Sequence, residues 1–306
     1  MTPHNAPFQD YDFLDSQHIT LADISPFQAI QGSAKHPIIL SVPHGGTYYP
    51  MEIIEKDDPA LPAFRSLEDS GTAYLAPLLS TQCYFSISAN LSRALLDLNR
   101  AEDALDPLLF DEALPKITAT DPFYRHIRSG YGVIPRLSAN RKQLYPAPLP
   151  LSLAQDMIAH FHRPYHQMLE RKLSDITKRN GVALLVDIHS MPAQSAGKKM
   201  PDFVFGDNFG ASLPDDLHHH IDEIMAKTSY DFGWNHPYAG GYITQHYGNH
   251  FGPVYTLQIE INRNLYCKTQ HKISHQALQN IAAILRLLLD GLSKAMVKDN
   301  RAEAAE

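Results

Sequence analysis

Four short apolar runs in this 306-residue chain end on residues able to do acid–base or metal chemistry. One ends Ser41-Val42-Pro43-His44-Gly45-Gly46, the next Leu96-Asp97-Leu98-Asn99-Arg100. A third ends Val186-Asp187-Ile188-His189-Ser190, the fourth Leu257-Gln258-Ile259-Glu260-Ile261-Asn262-Arg263. Two imidazoles and one carboxylate are a common catalytic zinc shell, with a fourth place left for water. His44 and His189 supply the imidazoles. Asp187 stands two residues before His189, so strand alternation puts both side chains on one face. Its carboxylate is placed to accept the ring's other N–H and fix the tautomer. The third ligand is expected from Asp69, with Glu68 as the second choice. Asp69 also reads simply as a helix N-cap. Such a ligand set takes zinc first, and also cobalt, manganese or iron.

Glu260 interrupts the apolar run 255–261. A carboxylate buried there is costly unless paired or beside a metal. The functional reading is a general base acting on water, its pKa held up by burial. The plainer alternative is an ion pair with Arg263 or another arginine. Asp97 reads as a structural partner of Arg93 or Arg100. Arg93, Arg100 and Arg136 sit in or beside the same segments. Guanidinium forks clamp carboxylates, and one can stabilise a developing oxyanion. The pair Asn99-Arg100 stands out because it closes a strand-like run. The segment 240–248, with Tyr242, reads as a loop where glycines let backbone approach a ligand. Seventeen histidines is a high count, but His218 to His220, and His160, His162 and His166, read as solvated faces of helices.

The elements that must position these groups are legible in outline. Apolar runs predict strands over 37–42, 84–88, 94–98, 182–188, 203–205 and 253–261. Helices are expected over 69–79, 152–179, 214–227 and 275–296, the second stopped by Asn180-Gly181. Residues 101–150 carry many prolines, glycines and aromatics without a period, a length that in compact domains is often functional. Strands alternating with helices, several of them apolar on both faces, give the α/β class. The expected fold is a single domain over 1–306: a mixed, largely parallel sheet with helices on both faces. Ligands of such sheets gather at the carboxyl ends of the strands, where the four loaded runs end.

The gross numbers exclude several classes. A net charge of −7 argues against a general nucleic-acid surface. Two cysteines, Cys83 and Cys267, rule out a disulfide scaffold and a thiolate metal site. The first eight residues lack the regions of a secretory leader, and no apolar stretch approaches about 20 residues. A cytoplasmic location with no membrane partner is the expectation.

Taken in order, several segments resemble the N-formylglutamate amidohydrolase family over about 37–268. They are Pro43-His44-Gly45-Gly46-Thr47-Tyr48-Tyr49-Pro50, Arg93 through Asp97-Leu98-Asn99-Arg100, Asp187-Ile188-His189-Ser190, Gly241-Tyr242-Ile243-Thr244 and Gln258-Ile259-Glu260. That family is similar in fold to the zinc carboxypeptidases and aspartoacylase, a zinc-exopeptidase (phosphorylase/hydrolase-like) architecture. The resemblance implies that His44 and His189 hold zinc and that Glu260 is the catalytic glutamate. It further implies that Arg93 polarises the scissile carbonyl and that Asn99 and Arg100 hold the substrate's α-carboxylate. Arg136 and Tyr242 complete the expected substrate contacts. Zinc carboxypeptidases and aspartoacylases carry a glutamate three residues after the first histidine. Here that place is Thr47, which is why Asp69 is expected instead. The implied reaction is zinc-dependent hydrolysis of N-formyl-L-glutamate to formate and L-glutamate. The alternatives are another small N-acyl amino acid, a carboxypeptidase activity, or a catalytically silent ligand-binding protein.

Overall fold

A computed structural model describes residues 20–303 except 56, 117, 119, 121–123, 196, 270 and 271. Among the described residues seven strands form the main sheet: β1 (Phe27–Gln31), β2 (Ile38–Val42), β3 (Phe85–Ala89), β4 (Ala183–Met191), β5 (Phe203–Gly206), β6 (Phe232–Trp234) and β7 (Val254–Asn262). Their order is β1-β3-β2-β4-β7-β5-β6. The centre, β3-β2-β4-β7, is parallel throughout. β1 and β5 run antiparallel to their inner neighbours, and β6 is parallel to β5. The sheet is therefore mixed and largely parallel.

Side-chain alternation splits the core in two. Ile39 and Leu185 face Phe161, Tyr165, Leu169 and Leu173 on one side of the sheet. Leu40, Val186 and Ile259 face the other side, against Leu217, Ile221, Leu285 and Leu292. The helices responsible are α1 (Leu75–Leu79), α2 (Arg163–Asn180), α3 (Asp215–Met225) and α5 (His275–Glu303), with the short α4 (Tyr242–Tyr247) between the last two. Because both faces are covered, the central strands are apolar on both. Among the described residues no helix is long and apolar enough to cross a membrane.

Register places the chemistry. β4 and β7 pair Asp187 with Gln258 and His189 with Glu260, and β2 pairs Ser41 with Asp187. Partners in a parallel ladder point the same way, so these groups form a polar patch on one face at the carboxyl end.

Four expectations are corrected. Residues 94–98 are a chain of turns and not a strand. Their apolar pattern records burial of Ala94, Leu95, Leu96 and Leu98, while Leu95 and Leu96 N–H both return to Ser92 O. No helix starts at Asp69. Gly71 takes φ +88°, and only then do a 3-10 turn (Thr72–Tyr74) and α1 begin. The glycine-rich segment 240–248 contains the helix α4 rather than only loop. Finally, His162 and His166 are buried. A π-helical turn (Ile158–His162) separates the helix Leu151–Met157 from α2 and turns both rings inward. α2 itself stops at Gly181, as the sequence predicts.

Candidate metal centre and active site

His44 follows the end of β2, His189 stands two residues before the end of β4, and Asp69 comes from the turn before α1. Their donor atoms meet in a small triangle. His189 Nδ1 lies 2.9 Å from His44 Nδ1 and 3.2 Å from Asp69 Oδ2, and His44 Nδ1 lies 3.4 Å from that oxygen. All three residues are buried. The other ring nitrogens face carboxylates. His44 Nε2–H donates to Asp97 Oδ1 (2.6 Å), and His189 Nε2–H donates to Asp187 Oδ2 (2.7 Å). A carboxylate only accepts, so each ring, when neutral, carries its proton on Nε2 and turns an Nδ1 lone pair inward. With both rings neutral, two lone pairs and a carboxylate oxygen face one another and repel. Positive charge resolves that repulsion, either a proton on His189 Nδ1 or a bound cation. Tetrahedral ligands at about 2.0–2.1 Å stand roughly 3.3 Å apart, the spacing of this triangle. The residues present therefore fit a divalent metal, with one carboxylate behind each imidazole.

The electrostatics agree. Burial opposes charge on Asp69, but His189, His44 and Arg93 outweigh it and hold the carboxyl well below its ordinary pKa. Burial likewise opposes charge on His189, yet Asp187 and Asp69 hold its imidazole well above the usual value. The pocket stabilises positive charge at this point. Ser190 N–H donates to Asp69 Oδ2 (3.1 Å) and Ser41 Oγ–H to Asp187 Oδ1 (2.8 Å), so both carboxylates are anchored. Asp69 is thus aimed at the histidines and not at a helix N-terminus. Glu68 points elsewhere and accepts from Tyr49 Oη–H at 2.6 Å.

Glu260 is 6% exposed. Burial raises its pKa to about 7, against the pull of His189 and Arg93. Gln258 Nε2–H donates to its Oε1 (2.9 Å), while Gln258 Oε1 accepts Gly241 N–H (2.8 Å). Arg263 donates Nη1–H to Glu68 O (3.0 Å), so the simple Arg263–Glu260 pair is not what fills the pocket. Arg93 bridges Asp97 Oδ2 (2.7 Å) and Asp69 Oδ1 (3.4 Å). Its Nε is buried with no acceptor among the described residues.

The remaining expected contacts divide. Asn99 is in the cluster but already engaged: Nδ2–H donates to Asp187 Oδ2 (3.3 Å) and Oδ1 accepts Ile243 N–H (2.8 Å). Its neighbour Arg100 donates to Tyr131 O and Asn99 O, and burial lowers its pKa despite Asp97. Arg136 donates Nε–H to Asp106 Oδ2 (2.8 Å). Tyr242 stacks on His246 (4.8 Å between ring centres) and meets His166 edge-on. Neither Arg136 nor Tyr242 is bonded to the donor triangle by any of these contacts.

Three participants escape the sequence. Asp97 stands behind His44 as well as beside Arg93, a second role that a strand-end carboxylate signals only weakly. Gln258 shares Glu260's face through the period of two, which was the available signal. Tyr238 packs on Met191, Met200 and Val204. Burial and then the charges of Glu260 and Asp69 push its phenol up to about 12. Nothing in the sequence around Tyr238 marks it.

An α/β protein with a buried His–Asp–His site able to hold a metal, set at the ends of parallel strands beside a buried carboxyl, is the class that fold and site define. More narrowly, the chain belongs to the N-formylglutamate amidohydrolase family, whose family model matches residues 36–267. An N-formylglutamate deformylase of Pseudomonas aeruginosa is 27% identical over 266 residues, covering 84% of this chain and 92% of that protein. Its counterpart in Pseudomonas putida is 26% identical over 264 residues, with the same shares. The crystal structure of N-formylglutamate amidohydrolase from Ralstonia eutropha JMP134 superposes with a TM-score of 0.79 at 25% identity. It covers 90% of this chain and 100% of that one. A gene product of Agrobacterium tumefaciens shares the fold (TM-score 0.64, 16% identity, 90% and 98% covered).

Proposed function

We propose that this chain hydrolyses N-formyl-L-glutamate to formate and L-glutamate with a bound zinc ion. The observation that carries it is the triangle of His44 Nδ1, His189 Nδ1 and Asp69 Oδ2 beside the raised carboxyl of Glu260. The names of the relatives supply the substrate. Zinc held by the three residues would polarise the formyl carbonyl and lower the pKa of a water toward about 7.

The chain's own groups then do the following. Glu260 takes a proton from the attacking water as its oxygen bonds to the formyl carbon. Arg93 directs N–H groups, including the unsatisfied Nε, at the oxygen that gains charge. As the C–N bond breaks, Glu260 returns the proton to the departing amine nitrogen. One water is consumed, and the products are formate and a free amino acid. Arg100 carries one substrate carboxylate. We keep Arg136 for the other, through the Nη edge that Asp106 leaves, and Tyr242 for the rim. Asn99 supports this pocket by holding Asp187.

Turnover of N-formyl-L-glutamate should be abolished by chelation and restored by zinc. Glu260→Gln should lower kcat by about 10²–10⁴-fold with zinc still bound. Near wild-type turnover in that variant would remove Glu260 as the base. Turnover of other N-acyl amino acids but not of the formyl compound would replace the substrate and keep the chemistry.

A further inference from the structure

The strap from Asp97 to Arg100 carries Asp97, Asn99 and Arg100, yet it lies outside the sheet, so no strand ladder fixes it. Three of its four N–H groups have acceptors: Asp97 N–H reaches Val133 O (2.7 Å), Asn99 N–H reaches Asp97 Oδ1 (2.9 Å) and Arg100 N–H reaches Asp97 O (3.2 Å). Two of its carbonyls end on histidines. Leu98 O lies 2.9 Å from His166 Nε2, and Arg100 O lies 2.8 Å from His162 Nε2. A carbonyl can only accept, so both rings donate from Nε2. His166 Nδ1 then accepts from Tyr247 Oη–H (2.8 Å), which uses both nitrogens of a neutral imidazole.

The two rings lie one helical turn apart, with centres 4.3 Å from each other. The π-turn puts them there. Pro164 has no N–H to give to His160 O, and Arg163 N–H instead reaches Ile158 O. The extra residue in that turn sets His162 inward beside Phe161, as His166 lies inward beside Tyr165. Single π-turns of this kind gather at functional sites. Two neutral donors also suit a place where Arg93 and Arg100 already supply positive charge. Burial keeps both rings uncharged and takes His166 down to about 3.

We propose that His162 and His166 are positioning residues of the active site, a pair of Nε2–H donors that fix the 97–100 strap and, through Asp97 and Asn99, orient the imidazoles of His44 and His189 toward the metal. The inference rests on the metal reading of that trio. A glutamine places an amide N–H near the position of His Nε2, whereas leucine removes the donor and keeps the bulk.

Zinc titration of chelator-stripped protein separates the possibilities. His166→Leu and His162→Leu should each weaken zinc binding by about 10- to 100-fold, the usual effect of losing a group that orients a ligand. They should lower kcat with little change in KM. His166→Gln should recover most of the zinc affinity. Equal zinc affinity in the folded leucine variants would overturn the positioning role alone. No zinc uptake by the unaltered protein would overturn the metal reading and this role with it. Should the leucine variants not fold, ring ¹⁵N NMR of the unaltered protein decides. Two Nε2–H tautomers with midpoints below that of a free imidazole are expected, and Nδ1–H tautomers or midpoints near 6.5 would overturn the proposal.

Discussion

At the scale of single residues, each imidazole of the triangle is a three-part object: a lone pair turned inward, a ring, and a carboxylate behind it. Removing the carboxylate frees the ring to rotate and weakens the lone pair as a ligand. Asp97→Asn is therefore expected to weaken zinc binding by about 10- to 100-fold, measured by competition with a chromophoric chelator. Unchanged affinity would reduce Asp97 to a structural partner of Arg93. The sequence shows one half of this design plainly. Asp187 and His189 lie two apart on a strand, where alternation forces a shared face, and Glu260 joins them by the same rule. Asp97 reaches His44 from a turn, for which no period exists.

Elements set how far such local rules extend. Strands β2, β4 and β7 are readable because a buried parallel strand is a short apolar run bounded by turn residues. The run 94–98 has the same composition and is not a strand. Its residues are apolar because the strap they form is buried, and composition does not separate the two cases. His162 and His166 escape for a related reason, since a π-turn shifts the phase of the helix between them and the preceding turns. The strap is crowded where α4 begins. A Cβ at Gly241 would stand 2.3 Å from Asn99 Nδ2, so Gly241→Ala must displace a side chain that is bonded at both ends. A displacement near 1 Å at a catalytic site costs about 10²-fold in rate. Gly241→Ala should accordingly lower kcat about 10²-fold while circular dichroism stays unchanged. A variant with full kcat would show that Asn99 moves without consequence.

The whole molecule shows in its response to acid and to metal. His166 is held neutral in the folded protein down to about pH 3, whereas in the unfolded chain it takes its proton near 6.5. Its folded pKa is depressed, so its contribution is intact above about 6.5 and is lost as pH falls from there toward about 3. The slope is about 1.4 kcal/mol per pH unit. Between pH 7 and pH 5, urea unfolding of the metal-free protein should lose about 2 kcal/mol more than His166→Gln does. Equal losses would place the His166 ring in water. Metal acts on a larger scale, because the triangle ties together three stretches distant in sequence: the end of β2, the turn before α1 and the end of β4. A ligand that binds only the folded chain stabilises it by about 2.7 kcal/mol at a hundredfold excess over Kd. For a chain of this size that is a rise in Tm of roughly 4 °C. Asp69→Asn should abolish most of the zinc-dependent rise. Glu68→Gln should preserve it, because Glu68 is tied to Tyr49 and contributes no atom to the triangle. The reverse pattern, with the rise lost in Glu68→Gln and kept in Asp69→Asn, would move the third ligand to Glu68 and leave Asp69 as an anchor for Ser190.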